Sequence, residues 1–130
     1  MKKIVQIVIL GGIIFIIATF YFLNEKKNRE LLESAKDKMI FFYGETCPHC
    51  ANVEKFFEEN EIEKEIQFEE KEVYNDKNNA KLLILVAKRK CNLKENEIGV
   101  PFLWDGENSK CTVGDQPIID YFKEKVATAL

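Results

Sequence analysis

Histidine is almost missing from this 130-residue sequence, which has one histidine, one tryptophan, two methionines and three prolines. With His49 as its single histidine, the chain lacks the two spaced histidines that join a Cys-x-x-Cys pair in a common structural zinc site. The absence of a methionine or histidine cluster also argues against a dedicated copper site. The sequence therefore predicts no metal centre, and it contains no internal repeat or low-complexity tract.

Basic residues are fewer than acidic ones, 19 against 22. Lys2 and Lys3 precede an apolar N-terminal run, so the remainder of the chain has 19 − 2 = 17 basic residues against 22 acidic ones. Proteins that bind nucleic acids need clusters of basic side chains for the phosphates. The charge balance therefore excludes nucleic acid as an expected partner.

The apolar run extends from Ile4 to Leu23 without a charged residue and stops at the charged stretch that begins at Glu25. About 20 helical residues, at about 1.5 Å each, match a hydrocarbon core of about 30 Å. A cleavable signal peptide has a shorter apolar region and a small-x-small cleavage site, which neither end of this run provides. We predict that residues 1–23 form a single-pass anchor in the cell membrane.

The two indications of membrane orientation disagree. Lys2 and Lys3 lie on one side of the run and Lys26, Lys27 and Arg29 on the other, so the positive-inside rule favours a cytoplasmic domain. Four cysteines in so short a chain favour instead a compartment where disulfides form, and long domains cross the membrane largely regardless of charge. We predict an extracytoplasmic domain, with the cytoplasmic side as the alternative.

Residues 24–38 contain strong helix formers and neither proline nor glycine, which favours a charged helical linker, although a solvated coil is nearly as compatible. Residues 39–130 form the predicted globular domain. Its apolar runs and turn signals give the element order β-α-β-α-β-β-α. Strands are predicted at 39–43, 66–73, 100–104 and 110–113, and helices at about 48–60, 76–91 and 116–127.

The sequence Thr46-Cys47-Pro48-His49-Cys50 directly follows the first strand and opens the first helix of the domain. A helix N-terminus favours an anion, which lowers the pKa of the first cysteine and supplies the nucleophilic thiolate. Pro48 suits the first helical position, which needs no backbone N–H. Cys50, one turn later, can attack a mixed disulfide formed by Cys47 and release the product.

Three other interpretations of the cysteine pair are weaker. A structural zinc site and a metal-delivery site lack further ligands, and a structural disulfide across so short a loop constrains the unfolded chain little. His49 lies between the cysteines, where it can place a positive charge or a donor near the Cys47 thiolate. Stabilising the thiolate stabilises the reduced form, so the disulfide becomes more oxidising.

Over residues 39–127 the chain resembles the thioredoxin superfamily, within it the glutaredoxin-like branch. The resemblance rests on Phe41-Phe42-Tyr43 before the cysteines, on Val100-Pro101-Phe102 and on Val113-Gly114-Asp115 before the last helix. The Cys-Pro-His-Cys tetrapeptide is similar to that of periplasmic disulfide oxidases of the DsbA type. The resemblance implies an α/β three-layer sandwich with a four-stranded mixed sheet in the order 2-1-3-4. It also implies a cis Pro101 that faces the cysteines, with Val100 offering its backbone to a substrate.

Glutathione is the cofactor that the resemblance implies, at positions that map onto Val100 and the Gly114-Asp115 turn. The sequence departs from many glutaredoxins by having a single glycine before Asp115 and no second acidic residue after it. We therefore expect no bound cofactor and a substrate among protein thiols and disulfides. An oxidase with a quinone-linked membrane redox partner is the preferred interpretation. A reductase or isomerase is the alternative within the same class, and a non-catalytic thiol or copper delivery module is the alternative outside it.

The two remaining cysteines, Cys91 and Cys111, stand after the second helix of the domain and on its last strand. Four cysteines allow three pairings, and sequence alone does not choose among them. If Cys47 pairs with Cys50, a Cys91–Cys111 disulfide is the remaining option. It could be structural or a second redox pair, and free thiols are expected if the domain faces a reducing compartment.

Overall fold

The structure is a computed structural model that describes residues 1–129, and the chain divides into two units at Glu33/Ser34. The first unit is a single helix, α1 (Lys2–Glu33), whose most apolar 18-residue window has a mean hydropathy of 2.5. Its large apolar side chains between Ile4 and Leu23 are exposed. This helix is long and apolar enough to cross a membrane.

Helix α1 continues without a break from the predicted anchor into the predicted linker, but it ends at Glu33 rather than at Lys38. Residues 34–37 form a turn instead. The cause is tertiary, because the Ala35 carbonyl accepts a 2.8 Å hydrogen bond from Trp104 Nε1, and the Lys38 carbonyl accepts one of 2.8 Å from the Gly106 N–H. A Cβ on Gly106 would collide with the Lys36 carbonyl. Glycine at this position therefore allows the turn to pack closely against the chain at residue 106.

The second unit is built on a four-stranded mixed sheet in the order β2-β1-β3-β4, as the resemblance implies. Strand β1 is parallel to β2 and antiparallel to β3, and β3 is antiparallel to β4. The strands are β1 (Met39–Tyr43), β2 (Glu69–Glu72), β3 (Phe102–Asp105) and β4 (Lys110–Val113). The apolar strands β1 and β3 lie in the centre, and the charged β2 lies at an edge, where one side of a strand remains solvated.

Three longer helices flank the sheet: α2 (Pro48–Glu59), α4 (Lys77–Arg89) and α5 (Asp115–Ala129). Two short helices were not predicted, α3 (Ile62–Glu65) and a 3₁₀ helix, Glu95–Glu97. Helix α3 forms because Glu61 adopts a left-handed conformation (φ 50°) and turns Ile62 into the core, where it is 2% exposed. A single buried residue within a charged stretch gives no periodic pattern, so the sequence does not reveal this turn.

The two faces of the sheet carry different parts of the core. Phe41 and Leu103 project towards α2 and α5, where Phe57 and Phe122 lie with ring centroids 4.7 Å apart. The neighbouring strand residues project to the opposite face, since side chains alternate along a strand, and α4 covers that face with its apolar side. The arrangement is the α/β three-layer sandwich that the resemblance implies.

Candidate active site

Cys47 and Cys50 form a disulfide at the end of β1 and the start of α2, with Cα atoms 5.2 Å apart. Cys47 is the N-cap of α2 and Pro48 occupies the first turn, as the sequence predicts. The Cys47 Sγ accepts a 3.1 Å hydrogen bond from the Cys50 N–H. In the reduced protein the same N–H would favour a Cys47 thiolate, because hydrogen bonds to an ionised acceptor are stronger than those to a neutral one.

The two cysteines differ in their exposure. Cys47 retains 8% of its surface exposed, whereas Cys50 is fully buried. Cys47 is therefore the more exposed cysteine of the pair.

The segment that carries Pro101 faces the disulfide. The Val100–Pro101 peptide bond is cis, and the Val100 carbonyl oxygen lies 3.8 Å from Cys47 Sγ. The Pro101 carbonyl accepts a 3.0 Å hydrogen bond from the Gly114 N–H, so this segment is joined to the turn before α5. Strand β3 begins after Pro101, at Phe102, rather than at Val100.

Gly114 and Asp115 occupy the turn between β4 and α5. Gly114 has φ 96°, a conformation that glycine adopts without the steric cost of a Cβ, and Asp115 is the first residue of α5. The Asp115 Oδ1 accepts a 3.0 Å hydrogen bond from the Gln116 N–H. A negative charge here is favourable, because the N–H groups of a helix N-terminus carry partial positive charge.

His49 contacts Asp115 across the site. Its Nδ1 lies 3.0 Å from Asp115 Oδ2, and Asn52 Nδ2 donates to the same oxygen over 2.8 Å. Hydrogen bonds from Asn52 and from His49 lower the pKa of Asp115 to about 2. The sequence analysis did not select Asn52. Its position three residues after His49, on the same helix face, could have indicated that the two side chains share a contact.

A shallow groove of ≈ 290 Å³ lies between His49, the segment that carries Val100 and the turn before α5. It brings together five residues that the sequence analysis selected for different reasons, namely His49, Val100, Pro101, Gly114 and Asp115. The sequence analysis did not assign the remaining lining residues to the site, and most of them lie on the 3₁₀ helix, which was not predicted, and directly after it. These further lining residues are Asn96, Glu97, Ile98, Gly99 and Val113.

The residues before Cys47 are held by a carboxylate on the edge strand. Glu72 accepts backbone hydrogen bonds from Tyr74 and Asn75, each 2.8 Å long, and from Glu45 at 3.3 Å. Desolvation acts to raise the pKa of Glu72, but the backbone N–H groups outweigh it and lower that pKa. The Asn75 side chain in turn donates to Glu45 Oε2 at 2.9 Å, which completes the connection to the loop before the cysteines.

Cys91 and Cys111 form a second disulfide, with Cα atoms 6.2 Å apart and 20 positions apart in sequence. It joins the end of α4 to β4. The chain between the two cysteines contains Val100, Pro101 and the 3₁₀ helix. The disulfide therefore closes the loop that forms much of the groove.

Within residues 1–129, the structure groups no set of three or more His, Cys, Asp or Glu side chains that could hold a metal ion. Cys47 and Cys50 are paired with each other, and His49 contacts a carboxylate.

The comparisons with known proteins agree with this geometry at the level of fold. No protein-family model matches the sequence, and a search of curated proteins finds no relative. Among solved structures, wheat glutaredoxin is 20% identical, with a TM-score of 0.51 over 81% of this chain and 86% of that one. Buckwheat glutaredoxin in a complex with glutathione is 15% identical, with a TM-score of 0.53 over 82% of this chain and 92% of that one. At these identities the likeness shows a glutaredoxin-like fold alone.

Proposed function

We propose that this protein is a membrane-anchored thiol–disulfide oxidoreductase that oxidises protein dithiols. The observation that carries the proposal is the disulfide at the N-terminus of α2, of which Cys47 is the more exposed residue, beside the groove formed by Val100 and Pro101. A glutaredoxin-like fold with this disulfide suggests thiol–disulfide exchange. Membrane attachment and the oxidising direction are the further steps of the proposal.

The reaction consists of two exchanges. A substrate thiolate attacks Cys47 Sγ, the Cys47–Cys50 bond breaks, and Cys50 leaves as a thiolate that takes up a proton. The second substrate thiolate then attacks the substrate sulfur of the mixed disulfide and displaces Cys47 as a thiolate. The substrate gains a disulfide, and two electrons remain on the enzyme as a dithiol. A membrane redox partner, which we propose to be quinone-linked, removes them.

The oxidising direction is proposed because several groups favour the reduced enzyme. The Cys50 N–H points at Cys47 Sγ, and His49 lies next to the pair in the same turn of helix. Groups that stabilise a thiolate stabilise the reduced form and so raise the oxidising power of the disulfide. The second candidate, a reductase or isomerase, would need an electron donor from outside the chain.

A protein substrate is proposed in preference to glutathione. The buckwheat structure contains glutathione. The family resemblance maps the glutathione positions onto Val100 and the Gly114-Asp115 turn, which line the groove here. Asp115 Oδ2, however, already accepts hydrogen bonds from His49 and Asn52. The groove is open and shallow, which suits an extended peptide segment.

The reduction potential of the Cys47–Cys50 pair tests the direction. Equilibrating the full-length protein in detergent with glutathione redox buffers, and counting thiols by alkylation and mass spectrometry, gives the value. We expect about −120 mV, the potential of a strong periplasmic oxidant. A value close to −270 mV, that of thioredoxin, would contradict the oxidase and support a tethered reductase.

Membrane attachment and orientation need a separate test. We expect the full chain to remain in the membrane after alkaline carbonate extraction, since α1 is long and apolar enough to span the bilayer. In sealed right-side-out vesicles, added protease should digest the domain from residue 34 onwards, and in inverted vesicles it should not. The reverse pattern would place the domain in the cytoplasm and remove the main support for an oxidase.

A further inference from the structure

Asp115 is connected to the active site through His49, although the two residues are 66 positions apart in sequence. Its carboxylate accepts from His49 Nδ1 at 3.0 Å, from Asn52 Nδ2 at 2.8 Å and from the Gln116 N–H at 3.0 Å. We propose that Asp115 is a positioning residue for His49, and that it acts on the redox pair only through this histidine. The proposal rests on the proposed thiol–disulfide exchange and adds one residue to its machinery.

The contact determines which ring nitrogen faces the groove. An ionised carboxylate is an acceptor only, so His49 Nδ1 carries the hydrogen in the contact with Asp115. A pKa of about 2 for Asp115 keeps this acceptor ionised at every pH at which the protein would work. His49 Nε2 is therefore the ring nitrogen outside the contact with Asp115, and His49 lines the groove together with Val100.

His49 needs such a support because its side chain is 70% exposed, against 28% for Asp115. An exposed side chain at the start of a helix has several accessible rotamers, and restricting them costs conformational entropy. Asp115 itself is fixed, since Asn52 and the Gln116 N–H bind its two oxygens. A rigid acceptor can hold the imidazole in one orientation, which a mobile acceptor could not.

Removing the support should make the disulfide less oxidising. Without Asp115 the ring would spend more time in solvent and less in its place on the helix turn that carries both cysteines, and the Cys47 thiolate would lose the stabilising charge of the protonated imidazole. The direct field of Asp115 has the opposite sign, because a negative charge near a thiolate disfavours it. The sign of the change therefore separates an effect through His49 from a direct electrostatic one.

The experiment measures the equilibrium of the full-length protein in detergent with reduced and oxidised glutathione. We expect Asp115→Ala to lower the equilibrium constant for oxidation of glutathione three- to tenfold, which is about 15 to 30 mV at 29.6 mV per tenfold. Asp115→Asn should retain most of the wild-type value, since its amide oxygen can still accept from His49 Nδ1. Asn52→Ala removes only one of the hydrogen bonds that fix Asp115, so it should lower the equilibrium constant by a smaller factor.

Two controls make the result specific. Asp120→Ala removes the same charge from an exposed position on the same helix, where Asp120 contacts Gln116 and Lys123, and it should leave the constant unchanged. In a His49→Ala background, Asp115→Ala should no longer lower the constant. Double-mutant comparison of this kind isolates the coupling between two residues.

An equal decrease in both backgrounds, or no change in either, would overturn the inference and leave the proposed function intact. So would a change in thermal stability with an unaltered equilibrium constant. A wild-type protein whose Cys47–Cys50 pair does not equilibrate with any glutathione buffer would instead overturn the proposed function, and the inference with it.

Discussion

Replacing Cys47 by serine is expected to reduce dithiol oxidation by about a thousandfold or more, the scale seen when an enzyme loses its nucleophile. Cys47 is the more exposed residue of the pair, and its partner Cys50 is fully buried. A hydroxyl in its place can form no disulfide with either Cys50 or a substrate. The rate at which the full-length protein oxidises a model dithiol peptide, followed by mass spectrometry, measures the loss.

Replacing Cys50 by alanine should have a different outcome. Cys47 can still attack a disulfide, whose other sulfur leaves as a thiolate, but no resolving thiol remains to break the mixed disulfide. The variant should therefore accumulate a covalent adduct at Cys47 that appears as a mass increase on non-reducing analysis. Reduction with excess dithiol should release it.

The matched control removes the other two cysteines. Cys91→Ser with Cys111→Ser leaves two cysteines in the chain, as a double variant at the active pair would, but these two residues lie outside the proposed exchange pathway. This variant should retain turnover, even if the loss of a disulfide lowers its stability. If it loses turnover to the same extent as Cys47→Ser while remaining folded, the assignment of the active pair is wrong.

The central strands and the cysteine motif were predictable because residues close together in the sequence determine them. Strand β1 has five residues of mainly apolar character and ends at Gly44, and the structure gives the same bounds, Met39–Tyr43. The N-terminus of α2 follows from Cys47 as N-cap and Pro48 in the first turn. The strand order and the cis Pro101 came instead from the resemblance, since no local rule dictates either.

The contacts that complete the site were not predictable, because they join distant parts of the chain. His49 and Asp115 were selected for separate reasons, one for its place between the cysteines and one for a possible glutathione site. Only the fold brings α2 and the start of α5 together, so the hydrogen bond between them has no sequence signal. The end of α1 was missed for a similar reason, because the hydrogen bond from Trp104 to Ala35 overrides helix propensity.

Asp105 is the other residue whose role the sequence did not show. An aspartate followed by glycine is typical of a turn, and Asp105 does end β3, but its side chain is buried, with 1% of the residue exposed. Its carboxylate accepts from Asn108 Nδ2 at 2.8 Å and from the hydroxyl of Tyr121, and it forms an ion pair with Lys125 Nζ at 3.0 Å. Burial of an acid is costly without such partners.

Asp105→Ala is therefore expected to lower the free energy of unfolding by about 3 kcal/mol, the low end of the cost of breaking a buried ion pair. Lys125 is 27% exposed and keeps some solvation, which limits the penalty. Trp104, the single tryptophan, is 2% exposed next to Asp105, so its fluorescence reports unfolding of the domain in urea. Asp120→Asn, at an exposed position on α5, should change the unfolding free energy by less than about 0.5 kcal/mol.

The pH dependence of stability provides the sharper test. Burial acts to raise the pKa of Asp105, but hydrogen bonds from Tyr121, Asn108 and Lys125 outweigh it and lower that pKa to about 2. A carboxyl group with a lowered pKa stabilises the fold above its unfolded pKa of 3.8 and loses that contribution as the pH falls through its folded value. The wild-type protein should thus lose about 2 kcal/mol more than Asp105→Asn between about pH 4 and pH 2. Parallel stability curves for the two proteins over that range would show that the Asp105 carboxylate does not stabilise the fold.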